Sequence, residues 1–315
     1  MSAAADHREP ESSQRTLRSA IGCVGIGIHT GARATLTMRP AAEGRGIVFV
    51  REDLPGTAPI PARAAFVADT TRCTQLQGPD GVTVNTVEHV LAALAAWGVD
   101  NVEIALDGPE VPALDGSAEP FVFLVGCAGV ELQDAVRPVL EVLKPVRVEH
   151  GGRSAALLPN DDDGLHVDMT IDFDHPIVGR QALALDVDLA SFRRELARAR
   201  TFGFAEDVDS LRARGLARGG SLDNAIVVSR HGVLNPSGLR WPDEFVRHKA
   251  LDAVGDLYLA GSLKARFEGR GSGHMLHARV VRELLADPSA WRIVDDGDAV
   301  EPAMDAPFAA QLGAD

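Results

Sequence analysis

The sequence predicts an α+β protein built of two domains. Short β-favouring runs and amphipathic helical stretches follow one another in both halves of the chain, in a similar order but without a residue-level repeat. The chain has 315 residues, and compact domains run to roughly 100–200 residues. Each half is therefore long enough to bury its own core.

Residues 1–13 contain no apolar run and are expected to form a disordered leader, neither signal peptide nor anchor. The first domain is expected over 14–136. In it Ala34–Arg39, Gly46–Val50 and Gly81–Thr86 read as strands. Thr86 is expected to cap a helix in which Val87, Val90, Leu91, Leu94 and Ala95 recur at helical spacing, with Gly98 at its left-handed end. Val102–Leu106 reads as a strand, Pro109 and Pro112 as loop punctuation, and Ser117 as the cap of a helix over Pro120–Cys127. Asp134–Pro138 reads as the linker.

The second domain is expected over 137–298, with a tail at 299–315. Val139–Glu149 and Leu165–Phe173 read as strands, and Asp161–Gly164 as a solvated hairpin tip, because the spacing of a calcium loop is absent. A helix over Leu189–Arg200 and a strand over Ala225–Val228 follow. A long helix is expected over about Glu244–Ala260, and a last one after Gly273 through Leu285.

The formal net charge of −14 excludes the basic surface that non-specific nucleic-acid binding or docking on an anionic membrane needs. No apolar run approaches the roughly 20 residues of a spanning helix, so no integral membrane segment is expected. The three cysteines, Cys23, Cys73 and Cys127, form no CxxC pair, which fits a reducing compartment rather than a disulfide framework. Lysine occurs only at Lys144, Lys249 and Lys264 among 31 basic residues. A lysine retained against that bias carries more information than usual.

The long helix contains FVRHKALDAVGD. His248, Asp252 and Asp256 stand at i, i+4 and i+8 and share one stripe. Alone, His-x-x-x-Asp is more often an exposed polar face. Here the opposite face is apolar, with Phe245, Leu251, Val254 and Leu257. An imidazole and a carboxylate one turn apart can hold a divalent metal, and Asp256 can support a neighbouring group. Water activation requires a third ligand and an open position. Glu88-His89 supplies both a ligand and a base, because adjacent helical side chains diverge by about 100°. Gly271-Ser272-Gly273-His274 opens the last helix, and His274 is a candidate general acid with Asp256 as its partner. His7, His150, His166, His175, His231 and His277 have no comparable partners in the sequence and are expected on the surface or in strands. The run Gly25–Gly31 around His29 lacks the third glycine and the following helix of a dinucleotide loop.

These residues, together with QRTL, GIGIHTG, TVEHVLAAL, VPALDGSA, ARTFGF, FVRHKALDAVGDLYLAG and SGH in this order, resemble the UDP-3-O-acyl-N-acetylglucosamine deacetylases, zinc enzymes of lipid A synthesis. The resemblance runs from about Gln14 to the end of the last helix. It implies two βααβ-type domains with helices sandwiched between two sheets. It also implies one zinc ion on His89, His248 and Asp252, with Fe2+ an alternative in vivo. By the same resemblance Glu88 is the base that takes a proton from the attacking water. His274 is the acid, oriented by Asp256. Lys249 lies in the active site, Thr201 donates to the oxyanion, and Phe202 contacts the sugar-nucleotide. An acyl passage maps to about 208–227, with Val208, Leu211, Leu216, Ser221 and Ala225 as lining. Cys73 matches a site-lining position. The partner is then the small-molecule substrate alone, and a cytoplasmic monomer is expected.

Two departures stand out. Many members carry lysine where this chain has Gly271 and asparagine where it has His277. The first removes a substrate-binding cation, for which Arg270 or Arg266 is the expected substitute. Two rival functions remain at this level. A different zinc amidohydrolase would keep the metal residues without the nucleotide and acyl features. A non-catalytic sugar-nucleotide binder would not need Glu88 beside a ligand histidine.

Overall fold

The computed structural model describes residues 13–295 and 298–299. The leader expected at 1–13 lies outside them except for Ser13, which already belongs to the strand Ser13–Leu17, paired with Val130–Val136. Of the tail expected at 299–315, only Ala299 is described, in a short strand beside Trp291–Asp295.

The architecture is α+β. A five-stranded sheet runs in the order Ile21–Ile26, Arg33–Pro40, Val102–Leu106, Ile47–Arg51, Ile60–Pro61. Its alternation is plain in Arg33–Pro40, where Ala34, Leu36 and Met38 are buried between more exposed neighbours. An eight-stranded sheet in the second half is organised around Ser262–Arg270. That strand carries Leu165–Asp172 in parallel, Arg153–Leu158 in antiparallel and, near its start, Val139–Val142 in parallel. No strand pairing among the described residues joins 13–136 to the rest. On that basis we propose the two domains at 14–136 and 137–298.

Six α-helices are described: α1 (Glu88–Trp97), α2 (Glu119–Ala128), α3 (Leu189–Ser191), α4 (Val208–Ala213), α5 (Glu244–Leu257) and α6 (His274–Ala286). α5 packs on Leu165–Asp172 and on the antiparallel strand Arg180–Val187, and α6 packs on Val146–His150 and Arg153–Leu158. α1, from the first half, lies against α5. It is apolar nearly all round, with Val90 through Leu94 fully buried, as a helix enclosed on every side must be.

One glycine sets the approach of α1 to α5. A Cβ at Gly255 would stand 2.0 Å from the Glu88 carbonyl oxygen and 3.1 Å from the Ala92 nitrogen. Both obstacles are backbone and cannot swing aside. Gly255→Ala is therefore expected to push the helices apart, costing about 1–3 kcal/mol of stability. Denaturant unfolding of the variant beside the parent checks this.

Several expected elements are redrawn. Thr86 does not cap α1: its φ is +61°, its hydroxyl donates to Glu110, and Val87 precedes the helix with no side-chain cap. The Gly81–Thr86 strand shrinks to Thr83–Val84. Ala118 holds the cap position of α2, although the Ser117 hydroxyl accepts from the Glu119 N–H at 3.3 Å. The linker shortens, because Asp134–Val136 still pair in a strand. Val139–Glu149 is two strands, Val139–Val142 and Val146–His150, broken before Pro145, which has no N–H for a ladder. Asp161–Gly164 is not a hairpin tip: the strands it joins lie on opposite edges of Ser262–Arg270. The Leu189–Arg200 helix is present over Leu189–Leu196, α3 continuing as a π-helix over Phe192–Leu196, and it ends before Arg200. Among the described residues no helix is long and apolar enough to cross a membrane.

Candidate metal centre and active site

α5 presents His248, Asp252 and Asp256 on one buried stripe, and α1 brings Glu88 and His89 against it. His89 Nε2 lies 3.5 Å from Asp252 Oδ1, and His248 Nε2 lies 3.3 Å from the same oxygen. The edge of a tetrahedron with ligand bonds of about 2.0–2.1 Å is about 3.3 Å, so these two spacings suit ligands that share one ion. The protonation pattern agrees. His248 Nδ1 is 3.0 Å from the Ala199 carbonyl. Nδ1 must therefore carry the proton, leaving a bare lone pair on Nε2. Asp252 Oδ1 is buried and has no hydrogen-bond partner. A carboxylate oxygen buried that way beside two imidazole nitrogens is costly unless a cation completes the set. The residues present fit a divalent metal.

A second cluster, Asp256, His274 and His277, also has its ligand atoms mutually close, but it is already satisfied. Asp256 Oδ2 lies 2.8 Å from both His274 Nδ1 and His277 Nδ1. Asp256 Oδ1 accepts from the Thr74 hydroxyl at 2.5 Å, and His277 Nε2 meets Ser272 Oγ at 3.0 Å. With both Asp256 oxygens and the Nδ1 atoms of His274 and His277 already engaged, this group needs no ion and instead holds the His274 ring in place. His277 is thus no surface or strand residue: it is fully buried on α6, one turn beyond His274.

His274 Nε2 is 3.8 Å from Glu88 Oε1, and Glu88 Oε2 accepts from the Thr74 N–H at 3.0 Å. Burial opposes charge on His274, but Asp256 and then Glu88 outweigh it and push its pKa up to about 9. Burial raises the Glu88 pKa above the ordinary carboxylate range, against the pull of His274 and His89. Burial likewise opposes ionisation of Asp256, but His274 and His277 hold its pKa below the usual range.

Lys249 Nζ sits 2.7 Å from Asp252 Oδ2, the oxygen turned away from His89 and His248. Burial disfavours its charge, and Asp252 more than restores it. Lys249 also lines the cavity.

That cavity, of about 810 Å³, opens over Glu88, His89, His248, Asp252 and His274. Thr201 and Phe202 are in its wall. Phe202 packs edge-on against Phe245 and Phe173, which fixes its ring. One arm of the wall comes from α4 and the segment after it, with Val208, Leu211, Ser221 and Ala225. Leu216 does not line the cavity. Cys73 does not line it either: burial pushes its thiol pKa up, and its neighbours are Glu88 and Thr86. Arg266 and Arg270 are likewise outside, turned to Asp168 and Thr170. The cations in the wall besides Lys249 are Arg72, Arg153 and Arg212, and the Arg153 side chain occupies the space beside Gly271. His29 is there too, its backbone N–H donating to Glu110 at 2.9 Å.

Sequence reasoning missed Thr74, His277 and the Ala199 carbonyl. His277 had a usable signal, three residues after His274 on the same helix. Thr74 had none, because only the fold brings it to both carboxylates.

Residues 14–286 match the family described as LpxC: UDP-3-O-acyl N-acetylglycosamine deacetylase. A protein of Myxococcus xanthus named UDP-3-O-acyl-N-acetylglucosamine deacetylase is 50% identical over 288 residues, covering 91% of each chain. One of the same name from Pseudomonas entomophila is 50% identical over 289 residues, 91% of this chain and 94% of its own. Another from Shewanella violacea is 46% identical over 284 residues, 89% and 92%. The match covers the five-stranded sheet, α1, α5, α6 and every residue of the buried clusters just described, and the chain belongs to the LpxC family.

Proposed function

We propose that the cavity hydrolyses the N-acetyl group of UDP-3-O-acyl-N-acetylglucosamine, giving the free amine and acetate in lipid A biosynthesis. The observation that carries this reading is the pairing of an incomplete ligand set, with Asp252 Oδ1 unpartnered, and a carboxylate–imidazole pair 3.8 Å apart at its edge. A sugar-nucleotide binder needs neither. The family is metal-dependent, and the ion we assign here is one Zn2+ on His89, His248 and Asp252, with Fe2+ able to take its place. When bound, such an ion polarises the amide carbonyl and makes water more acidic.

The chain's own groups do the rest. Glu88 takes a proton from water as its oxygen attacks the acetyl carbon. The Thr201 hydroxyl donates to the oxygen that gains negative charge. As the C–N bond breaks, the imidazolium of His274 protonates the departing nitrogen, and Asp256 holds that ring through Nδ1. Thr74 fixes both carboxylates in register. Phe202 offers a face to the sugar-nucleotide. Arg72, Arg153 and Arg212 give the anionic diphosphate a positive wall in an otherwise acidic protein. Lys249 has two duties, charge for the substrate and a hydrogen bond to Asp252. The protein is read as a cytoplasmic monomer that meets its substrate without a membrane segment of its own.

Lys249→Ala is expected to lower kcat/KM at saturating metal by roughly 10–100-fold, the range for removing a partner of a ligand. Lys249→Arg should be impaired as well, because a planar guanidinium does not fit the place of a compact ammonium. Steady-state kinetics with metal analysis measures this, and an Arg variant with full activity would show that charge alone suffices.

The fatty chain is placed along Val208, Leu211 and Ala225. Each buried methylene contributes about 0.8 kcal/mol, so an analogue with a free 3-hydroxyl should lose orders of magnitude in kcat/KM. Comparing the two substrates tests the reading. Equal cleavage of both would remove the acyl role of 208–227 and favour a general amidohydrolase.

A further inference from the structure

We propose that Glu244 is a positioning residue that tunes the ligand His248 through a single peptide group, the one linking Ala199 to Arg200. The inference rests on the reading of His248 as a metal ligand.

Glu244 opens α5 and is fully buried. Its Oε1 accepts from the Arg200 backbone N–H at 3.1 Å and from Arg200 Nε at 2.9 Å. Its Oε2 accepts from Arg200 Nη2 at 3.1 Å and from the Arg240 backbone N–H. The Arg200 N–H belongs to the same peptide unit as the Ala199 carbonyl, which receives the proton of His248 Nδ1 at 3.0 Å. Glu244 and His248 stand at i and i+4, so both reach from one face of α5. The result is a closed ring: α5, the Glu244 carboxylate, one peptide, the His248 ring, and α5 again. The N–H and C=O of a trans peptide point in opposite directions, so the two grips hold that plane against rotation.

The consequence is electronic as well as geometric. An anion on the N–H side polarises the peptide and makes its carbonyl a stronger acceptor. A stronger acceptor at Nδ1–H fixes the tautomer and raises the basicity of the opposite ring nitrogen. The usual carboxylate–histidine contact is here relayed by one peptide. Arg200 also precedes Thr201, whose N–H donates to the Gly116 carbonyl at 2.8 Å, so the same grip sets that side chain at the cavity wall. Arg200 on its own neutralises the buried carboxylate, a distinct and purely structural task.

The two tasks separate by mutation. Full-length Glu244→Gln, Arg200→Lys and His248→Ala are compared with the parent by competing a chelator for Zn2+, and by the visible absorption of the Co2+-loaded proteins. Glu244→Gln keeps an acceptor but removes the anion, and should bind Zn2+ about 10–100-fold more weakly, with a shifted Co2+ spectrum. Arg200→Lys keeps the backbone N–H and a cation, and should lower the melting temperature while leaving affinity and spectrum unchanged. Equal loss in both variants, or parental affinity in Glu244→Gln, overturns the relay. If His248→Ala retains full affinity, the ligand reading falls and the relay with it; if His248→Ala loses metal while Glu244→Gln does not, only the relay falls. Should Glu244→Gln not fold, Glu244→Asp is read by the same criteria, since it keeps the charge and draws the carboxylate back from the peptide.

Discussion

Asp252→Ala is expected to bind metal more weakly by over about 100-fold, beyond what loss of a mere supporting partner costs, and to be inactive at ordinary metal concentrations. In the proposed ligand set Asp252 is the only anion, and its Oδ1 is buried with no donor. Its loss also strands Lys249, whose ammonium is 2.7 Å from Oδ2. Breaking a buried pair from one side costs about 3–5 kcal/mol, so the variant should unfold at lower denaturant as well. Asp252→Asn separates these effects. It preserves the shape and an acceptor for Lys249, and should recover much of the stability but little of the metal. Metal analysis beside denaturant melts measures both, and undiminished metal in the two variants would remove Asp252 from the ligand set.

Glu88→Gln is expected to lose roughly 10²–10⁴-fold in kcat while keeping metal and fold. The amide oxygen can still accept from the Thr74 N–H, so α1 should not move. The parent should show a bell-shaped kcat/KM. As the proposed base, Glu88 acts ionised, so activity should fall as pH drops through its raised pKa, above the ordinary carboxylate range. As the proposed acid, His274 acts protonated, so activity should fall again as pH rises through about 9. In Glu88→Gln the acid limb should vanish. The alkaline limb should move down, because the Glu88 charge is one of the two chief causes that raise His274. An unchanged bell would assign both limbs to other groups.

Much of this was legible in the sequence, and the rest was not, for identifiable reasons. α5 and α6 were readable because long helices with one apolar face repeat their signal over several turns; the observed bounds are Glu244–Leu257 and His274–Ala286. The stripe His248, Asp252, Asp256 followed from helical spacing alone. What failed was mostly local. Thr86 has the chemistry of a cap but sits at positive φ because Glu110 claims its hydroxyl. Val139–Glu149 is uniformly β-favouring, and only the ladder shows that Pro145 divides it. Leu189–Arg200 has helical composition, and helix does form over Leu189–Leu196, but its widening into a π-helix after α3 and its end before Ala199, which put the Ala199 carbonyl against His248, have no signal in the pattern. The cations of the cavity wall were misassigned for a related reason. Arg266 and Arg270 lie just before Gly271 in sequence, on one strand, whereas Arg153 reaches it from the neighbouring strand paired with Ser262–Arg270.

Deacetylation by this protein is tested by stoichiometry. Purified metal-loaded protein is incubated with UDP-3-O-acyl-N-acetylglucosamine, and acetate and free amine are quantified together, with Glu88→Gln as the parallel sample. One acetate and one amine are expected for each substrate consumed, formed by the parent and nearly absent from Glu88→Gln. Fully loaded parent protein that releases neither product, or a Glu88→Gln protein that releases both at the parental rate, would contradict it.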